Sequence, residues 1–219
     1  MIELLTFEEE SHEYRINHGK KSILVPSISQ IIAYCGVSKP SSWQIPQFYA
    51  DRGTEIHDMT ELMDAGTFLE EFCTAEALPF LLQYENFLLE HDVEVMDSES
   101  LVFDTDLFIA GRLDRYWSID GTKHLTDIKS GQKLREHAVQ ATFYTKAHGK
   151  MVQSISNLYL KDGGYELYVW KKEELDVAER IIRAMSDIYW FAHPRDYRDL
   201  VAIRDLCKKS IAKDEFFFN

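Results

Sequence analysis

The spacing of hydrophobic residues alternates between helical and strand-like periods along this 219-residue chain. Apolar residues three and four positions apart predict helices, whereas strict alternation predicts strands. The longer predicted helices cover residues 47–65, 75–90, 133–148, 173–191 and 197–213. A further short helix begins at a capping box formed by Ser27 and Gln30. Because these segments follow one another without a repeat or a linker, the pattern favours a single domain over residues 1–219.

Strand-like alternation is concentrated in the middle of the chain, after a change of period near Val93. The predicted strands cover residues 100–103, 107–119, 122–129, 156–160 and 165–171, after two shorter pieces at 7–14 and 23–25. Residues 36–46 have the composition of a loop. The order of elements predicts an α+β or α/β domain with a mainly helical part (1–92), a core sheet with one helix (93–171) and C-terminal helices (172–219).

The dipeptide Asp120-Gly121 is a strong signal for a two-residue β-hairpin turn. If these are the two central turn residues, the resulting register places Asp114 directly opposite Asp127, with their Cβ atoms roughly 5 Å apart. Alternation along the strand puts Lys129 on the same face as Asp127. Two carboxylates and an amine are therefore expected to converge on one small patch.

Facing carboxylates destabilise a sheet unless a positive charge lies between them. A divalent cation is the natural candidate, since carboxylate oxygens suit Mg²⁺ or Mn²⁺ and leave coordination positions for phosphate oxygens. Lys129 could then hold a metal-bound water or help to deprotonate it, which is the usual route to a nucleophile for phosphodiester hydrolysis. The alternative is a surface hairpin in which Lys129 neutralises two solvated acids.

Four other polar residues become candidate metal ligands or substrate contacts only if such a metal site exists. His57 lies on a predicted helix with Glu61 one turn later, so a neutral imidazole oriented by Glu61 is a candidate metal ligand, or else a surface histidine. Glu99 lies at the start of the strand before the hairpin. It is either a further acid near the metal or a charged residue that protects an edge strand from pairing with another chain. Gln140 and Tyr144 share one helix face and can present an amide and a phenol to a phosphate or base, or can pack on the sheet.

The net charge of −13, from 24 basic and 37 acidic residues, argues against a protein that coats nucleic acid through a broad basic face. Any contact with DNA should be confined to a local groove. Basic residues do gather near the candidate site: Arg112, Arg115, Lys123, Lys129, Lys133 and Arg135. Four aromatic residues are candidates for base stacking, although their spacing is more typical of a core: Tyr168, Trp170, Tyr189 and Trp190.

The cysteines and the N-terminal residues limit the class of protein. Cys35, Cys73 and Cys207 are the three cysteines, and they lie far apart. This spacing fits reduced thiols and excludes a self-contained four-cysteine iron–sulfur or zinc site. The first ten residues have no basic region followed by a long apolar run, so neither a signal peptide nor a membrane span is expected. A cytoplasmic location follows as the expectation.

Four motifs, in this order and spacing, resemble those of the RecB-type branch of the PD-(D/E)XK nuclease superfamily. They are Arg52-Gly53-Thr54-x-x-His57, Gly111-Arg112-Leu113-Asp114-Arg115, Asp127-Ile128-Lys129-Ser130-Gly131 and Gln140-x-x-x-Tyr144. The early segment from Val25 to Ile31 is similar to the opening of phage-encoded members. The resemblance spans about residues 7 to 170, which is most of the chain.

The resemblance implies a restriction-endonuclease-like core, with a central mixed β-sheet of about five strands flanked by helices. It also implies DNA cleavage that depends on one or two Mg²⁺ or Mn²⁺ ions, by an exonuclease rather than an endonuclease. By position, the implied metal ligands are His57, Asp114, Asp127 and the Ile128 carbonyl, and Glu99 matches loosely. Lys129 matches the catalytic lysine, Gln140 and Tyr144 match a motif for substrate binding and active-site support, and Arg112 is a further substrate-binding candidate.

Because the cysteines do not fit a cluster, the resemblance is to phage-like members without an iron–sulfur cluster. Such an enzyme would serve DNA replication, recombination or repair, in a bacterial host cytosol if phage-encoded. The expected partner is DNA and not a membrane, with a recombination or replication protein and a homo-oligomer as further options. Two alternatives stay open: a catalytically idle nuclease fold that acts as a DNA-binding or scaffolding subunit, and an RNA nuclease.

Overall fold

The computed structural model describes residues 5–37 and 47–215, with side chains described as far as residue 205. The helices are α1 (Ile28–Tyr34), α2 (Gln47–Asp64), α3 (Leu78–Glu90), α4 (Glu136–His148), α5 (Lys172–Ala192) and α6 (Pro194–Glu215). The strands are β1 (Leu5–Glu8), β2 (Glu13–His18), β3 (Lys21–Val25), β4 (Val93–Asp104), β5 (Ile109–Ile119), β6 (Thr122–Lys129), β7 (Ser154–Lys161) and β8 (Gly164–Val169). Most of the loop predicted at 36–46 lies outside the described residues.

The strands form two sheets. The first has three antiparallel strands in the order β1-β2-β3. The second has five strands in the order β4-β5-β6-β7-β8, in which β6 and β7 are parallel while β5–β6 and β7–β8 are antiparallel. A parallel pair needs a crossover, and α4 supplies it between β6 and β7 and packs against both. The fold is therefore α+β, with the central mixed five-stranded sheet that was expected.

Local sequence signals explain three of the helix ends. The Ser27 hydroxyl accepts a hydrogen bond from the backbone N–H of Gln30, and the Gln30 side chain accepts one from the N–H of Ser27, so the predicted capping box is present. α4 ends at Gly149, whose φ of 69° is the left-handed conformation that glycine adopts without strain. α6 begins with Pro194, in the first helical position that proline favours.

Two strand predictions were wrong in extent. The strand predicted over residues 7–14 is two strands, because the polar residues 9–12 form a turn in which His12 has a φ of 50°. β4 begins at Val93 and not near residue 100, so it includes the polar stretch that weakened its alternation. No helix in residues 5–37 and 47–215 is both long enough and apolar enough to cross a membrane.

The chain divides into two compact units, each with its own core. The first comprises residues 1–38, 101–111 and 180–219, and its core includes Ile16, Val25, Phe108, Trp190 and Leu200. The second comprises residues 39–100 and 112–179. Its core lies between α2, α3 and the five-stranded sheet: Ile56, Leu81, Tyr84, Phe87, Trp117, Ile128 and Leu158. The candidate site residues belong to this second unit.

Candidate active site

The β5–β6 hairpin has the register that the turn signal predicts. Arg115 pairs with Thr126, and the ladder continues to the Asp120-Gly121 turn. Both turn residues have positive φ, 51° for Asp120 and 79° for Gly121, as a type I′ turn requires. Asp114 and Asp127 are the next residues beyond the last pair of this ladder, and they are close enough for the charge of Asp114 to raise the pKa of Asp127. Both aspartates are buried, with 7% and 1% of their surface exposed.

Three side chains from different elements converge beside this end of the hairpin. His57 of α2, Glu99 of β4 and Asp114 of β5 each offer one ligand atom, and these atoms lie within 4.8 Å of one another. His57 Nδ1 is 3.4 Å from Asp114 Oδ2. Because the Glu99 side chain is only 14% exposed, it points into this group and does not guard a strand edge. An imidazole and two carboxylates form a donor set that suits a divalent cation.

The protonation states of this group match such a role. Burial, with a further contribution from the charge of Lys129, lowers the pKa of His57 to about 4, so its imidazole is neutral near pH 7. Burial and the nearby charge of Asp114 raise the pKa of Glu99 to about 7. Burial also raises the pKa of Asp114, although Lys129 and the Ile128 N–H act against it. The two carboxyl groups therefore lack sufficient positive charge around them, which a bound cation would supply.

Ile128 contributes through its backbone. Its N–H donates a hydrogen bond of 2.7 Å to Asp114 Oδ2, which fixes that carboxylate against β6. The side chain of Ile128 is fully buried in the core of the second unit. The role of its carbonyl as a metal ligand stays a prediction.

Asp127 is held on both sides by hydrogen bonds. Lys129 Nζ lies 2.9 Å from Asp127 Oδ1 and 2.8 Å from Oδ2. On the other side the Asn157 amide donates to Asp127 Oδ2 at 2.6 Å and to its backbone carbonyl at 3.0 Å. Trp170 Nε1 in turn donates to the side-chain oxygen Oδ1 of Asn157 at 2.6 Å. This chain of contacts leaves the Asp127 carboxylate little freedom to rotate.

Lys129 is a cation in this setting. Burial alone would lower its pKa, but the attraction of Asp127 and Asp114 outweighs burial, so the pKa is raised. Burial raises the pKa of Asp127, while Lys129 opposes this. A protonated Nζ donates hydrogen bonds and stabilises negative charge; it does not accept a proton from water.

Arg115 is a buried guanidinium behind the three converging side chains. Its side chain has no solvent exposure, and it donates to Asp64 Oδ2 at 2.5 Å and to Glu99 Oε1 at 3.0 Å. Further hydrogen bonds reach the Asp114 carbonyl at 2.8 Å and Thr60 Oγ1 at 3.2 Å. Arg115 therefore ties α2, β4 and β5 together, and the sequence interpretation did not assign it this role.

Arg112 and Glu61 lie at the margin of the group. Arg112 Nε is 2.9 Å from Glu99 Oε2, so this guanidinium shares a carboxylate with Arg115. Glu61 is exposed on α2, and its charge adds to the effects that raise the pKa of Glu99. Substrate binding by Arg112 and an auxiliary role for Glu61 stay predictions.

α4 carries the predicted Gln140 and Tyr144 together with a histidine that was not singled out. Tyr144 is 6% exposed, which suits active-site support, and Gln140 is partly buried. His137 is buried in the first turn, and its Nδ1 lies 3.0 Å from the Tyr159 hydroxyl. Burial and the charge of Lys129 lower the pKa of His137 to about 4, so it is neutral near Lys129. The substrate contacts of Gln140 and Tyr144 remain predictions.

Two of the missed residues had a signal in the sequence. Ser156 and Asn157 are two consecutive polar residues inside the apolar strand β7. Asn157 pairs with Asp127 in the parallel β6–β7 ladder. Arg115 lies on the same face of β5 as the core residues Leu113 and Trp117, each two residues away, so a charge was predictable on this buried face. Their partners were not predictable, because they come from elements distant in the chain.

No family model matches this sequence, and no curated protein matches it either. One similar solved structure is from Eubacterium rectale and is described as a "Putative exonuclease". The two chains are 7% identical, and the match covers 82% of this chain and 74% of the other, with a TM-score of 0.43. A second is the protein SSO0001, with 14% identity, coverage of 71% and 82%, and a TM-score of 0.30. These scores are too low to carry a functional argument, which therefore depends on the site itself.

Proposed function

We propose that this protein is a metal-dependent nuclease that hydrolyses phosphodiester bonds in DNA with Mg²⁺ or Mn²⁺. The observation that carries the proposal is the convergence of His57, Glu99 and Asp114 within 4.8 Å, next to a buried Asp127 that is bound by a protonated Lys129. The motifs that resemble the RecB-type branch of the PD-(D/E)XK superfamily supply the same residues, with Glu99 in addition to the expected ligands.

The residues fit a divalent cation. The donor set is a neutral imidazole with carboxylates; the Ile128 N–H positions Asp114, and Arg115 positions Glu99. When bound, the ion supplies Lewis-acid stabilisation of the scissile phosphate. His57, Glu99, Asp114 and Asp127 would hold it, and the Ile128 carbonyl is a further ligand in this proposal.

Lys129 orients the attacking water and stabilises the charge that develops on the phosphate. Its Nζ lies close to Asp127, so a hydrogen atom that is not donated to this carboxylate is available to a water or a phosphate oxygen. Asn157 and Trp170 hold Asp127 in place, and Arg115 does the same for Glu99. Gln140, Tyr144 and Arg112 would contact or support the DNA strand.

The direct test is a metal titration with linear DNA. The purified protein should release nucleotides with Mg²⁺ or Mn²⁺ and stop when EDTA is added. Lys129→Ala should abolish turnover, whereas Lys123→Ala, an exposed lysine on the same strand, should not. A binding or scaffolding subunit would retain DNA affinity without metal and release no nucleotides, and that result would refute the proposal.

We further propose exonuclease action in DNA replication, recombination or repair, as the resemblance to phage-like members implies. End-labelled single- and double-stranded DNA and matched RNA oligonucleotides, digested side by side, test this. Progressive shortening from one end of DNA supports an exonuclease. Internal cuts, or a preference for RNA, would contradict this part of the proposal while leaving the metal-dependent chemistry intact.

A further inference from the structure

An exposed aromatic pair lies at the start of the helix that carries His57. Phe48 and Tyr49 are each 51% exposed, and their rings meet edge to face, with centroids 5.5 Å apart. The guanidinium of Arg52 lies 5.2 Å from the Tyr49 ring centroid, 5.9 Å from that of Phe48 and 4.4 Å from that of the buried Phe80. Three rings therefore surround one cation on the first turns of α2.

At the Nε side of the Arg52 guanidinium, aromatic rings take the place of hydrogen-bond partners. Its Nε is buried and has no hydrogen-bond partner among the described residues. A guanidinium stacked in this way keeps its charge while its plane is fixed by the rings. On a chain with a net charge of −13, this gives a local cation beside exposed rings.

The pair is continuous with the candidate active site. Tyr49, Gly53 and His57 are spaced by four residues and so lie along one ridge of α2. A Cβ on Gly53 would lie 3.9 Å from Ser130 Oγ, so this side of α2 passes directly beside the residue that follows Lys129. Tyr49 precedes His57 by about 12 Å along the helix axis, at about 1.5 Å per residue.

We propose that Phe48, Tyr49 and Arg52 form a base-stacking platform for a single-stranded end of the nucleic acid substrate. The proposal rests on the proposed nuclease function and deepens it by naming the form of the substrate. Bases in a duplex are covered by their neighbours, so an exposed ring stacks on an unpaired base in preference to a paired one. At about 3.4 Å per stacked nucleotide, about 12 Å places the stacked base three to four nucleotides from the phosphate that is cut.

Binding of labelled oligothymidine and of a blunt duplex of equal length to the Lys129→Ala protein, with Mg²⁺ present, tests the platform. Adding Tyr49→Ala should weaken oligothymidine binding by about 5- to 150-fold, the range expected for one stacked base. Tyr49→Trp should preserve binding. Phe72→Ala, which removes another exposed ring of the same unit, should change it less than about twofold. Duplex binding should change less than about twofold in every variant.

The outcomes separate the platform from the nuclease function. If Tyr49→Ala changes oligothymidine binding less than about twofold, or weakens duplex binding equally, the platform is refuted. If wild-type protein degrades only duplex DNA and the Lys129→Ala protein does not bind oligothymidine, the platform is refuted while the nuclease function stands. If wild-type protein neither binds nor degrades any nucleic acid with Mg²⁺ or Mn²⁺, the proposed function fails as well.

Discussion

The two faces of the central sheet bury polar groups in different ways, only one residue apart along β6. Thr126 pairs with Ser156 and Asp127 pairs with Asn157 in the parallel ladder with β7. Since successive side chains point to opposite faces, the first pair lies on one face and the second on the other. The contrast between these pairs separates what stabilises the sheet from what equips it for chemistry.

On the first face the groups around Ser156 are neutral and hydrogen-bonded to one another. The buried charge of this face is Arg115, which pairs with Thr126 and is ion-paired to Asp64 and Glu99. Trp117 Nε1 donates to Thr126 Oγ1 at 2.7 Å, and Thr126 and Ser156 share a hydrogen bond of 2.8 Å. His124 Nδ1 lies 3.1 Å from Ser156 Oγ, and burial lowers the pKa of this histidine. Such a network costs little once its members are satisfied and fixes the packing of the strands.

On the second face the buried groups carry charge. Asp114, Asp127 and Lys129 lie together, and burial raises the pKa of both aspartates. Burying charges costs free energy that ion pairs recover only in part. A sheet that needed only stability would do better with a neutral pair in place of Asp127 and its lysine, whereas Arg115 on the first face links α2, β4 and β5. The charged face, the one with Asp114, Asp127 and Lys129, is therefore where a function is expected.

The largest expected effect is on turnover by Asp127→Asn. Removing this charge should lower kcat at least about 100-fold, because in the proposed function the carboxylate holds the cation, and it also keeps Lys129 in place. The measurement is nucleotide release with Mn²⁺ at saturating DNA, with circular dichroism to verify folding. Unchanged turnover in a folded variant would show that the charged face is not the active site.

Arg115→Met should cause the largest loss of stability, about 3–5 kcal/mol, because it leaves the carboxylates of Asp64 and Glu99 buried without their partner. Urea denaturation followed by fluorescence measures the change. The control is Arg15→Met, since Arg15 forms a partly exposed ion pair with Glu13 and should contribute less than about 1 kcal/mol. Equal losses for the two variants would contradict the role of Arg115 as a buried link.

Thr126→Val should affect stability without affecting chemistry. The substitution keeps the shape of the side chain but leaves the Trp117 indole N–H without its acceptor, which should cost about 1–3 kcal/mol. Turnover per folded molecule should equal that of the wild type. Should turnover fall as it does for Asp127→Asn, the separation between the two faces would be lost.

Metal affinity should also depend on pH. Glu99 must lose its proton to bind a cation, and its pKa is raised to about 7, whereas His57 is already neutral above about pH 4. Apparent Mn²⁺ affinity should therefore rise by up to about tenfold per pH unit from pH 5 to 7 and level off above pH 7. Isothermal titration calorimetry checks this dependence.

Glu99→Gln is the matched control for the pH dependence. The amide cannot ionise, so the variant should bind Mn²⁺ more weakly and with a flatter dependence on pH. If Mn²⁺ affinity rose equally steeply with pH in the wild type and the variant, a group other than Glu99 would be responsible for the pH dependence.

The sequence predicted the parts of the fold and of the site that depend on residues close together in the chain. The Asp120-Gly121 turn determined the hairpin register, and with it the meeting of Asp114 and Asp127, because all four lie within one short segment. The convergence of His57 and Glu99 with Asp114 depends on how α2 and β4 pack in the second unit, so the sequence could only nominate these residues. Arg115 and Asn157 were missed because their partners lie 51 and 30 residues away in the chain.

The aromatic candidates illustrate the same limit. Trp170 and Trp190 are 6% and 5% exposed, so the core interpretation of these two residues is correct. Lys133 Nζ lies 3.0 Å from the centroid of the Tyr168 ring, so the lysine side chain partly covers this ring. The exposed rings at Phe48 and Tyr49 were not singled out, since hydrophobic spacing alone does not distinguish a ring at the surface from one in the core.

Glu99 has a φ of 48° inside β4, a backbone conformation that asparagine or glycine adopts at lower cost. A glutamate at this position therefore carries local strain that the proposed metal site would explain. If the site binds a cation as proposed, a related chain that no longer needed the cation would be selected on folding alone, which favours Asn or Gly here. The identity of this one residue would then be a marker of whether a related chain retains the proposed metal site.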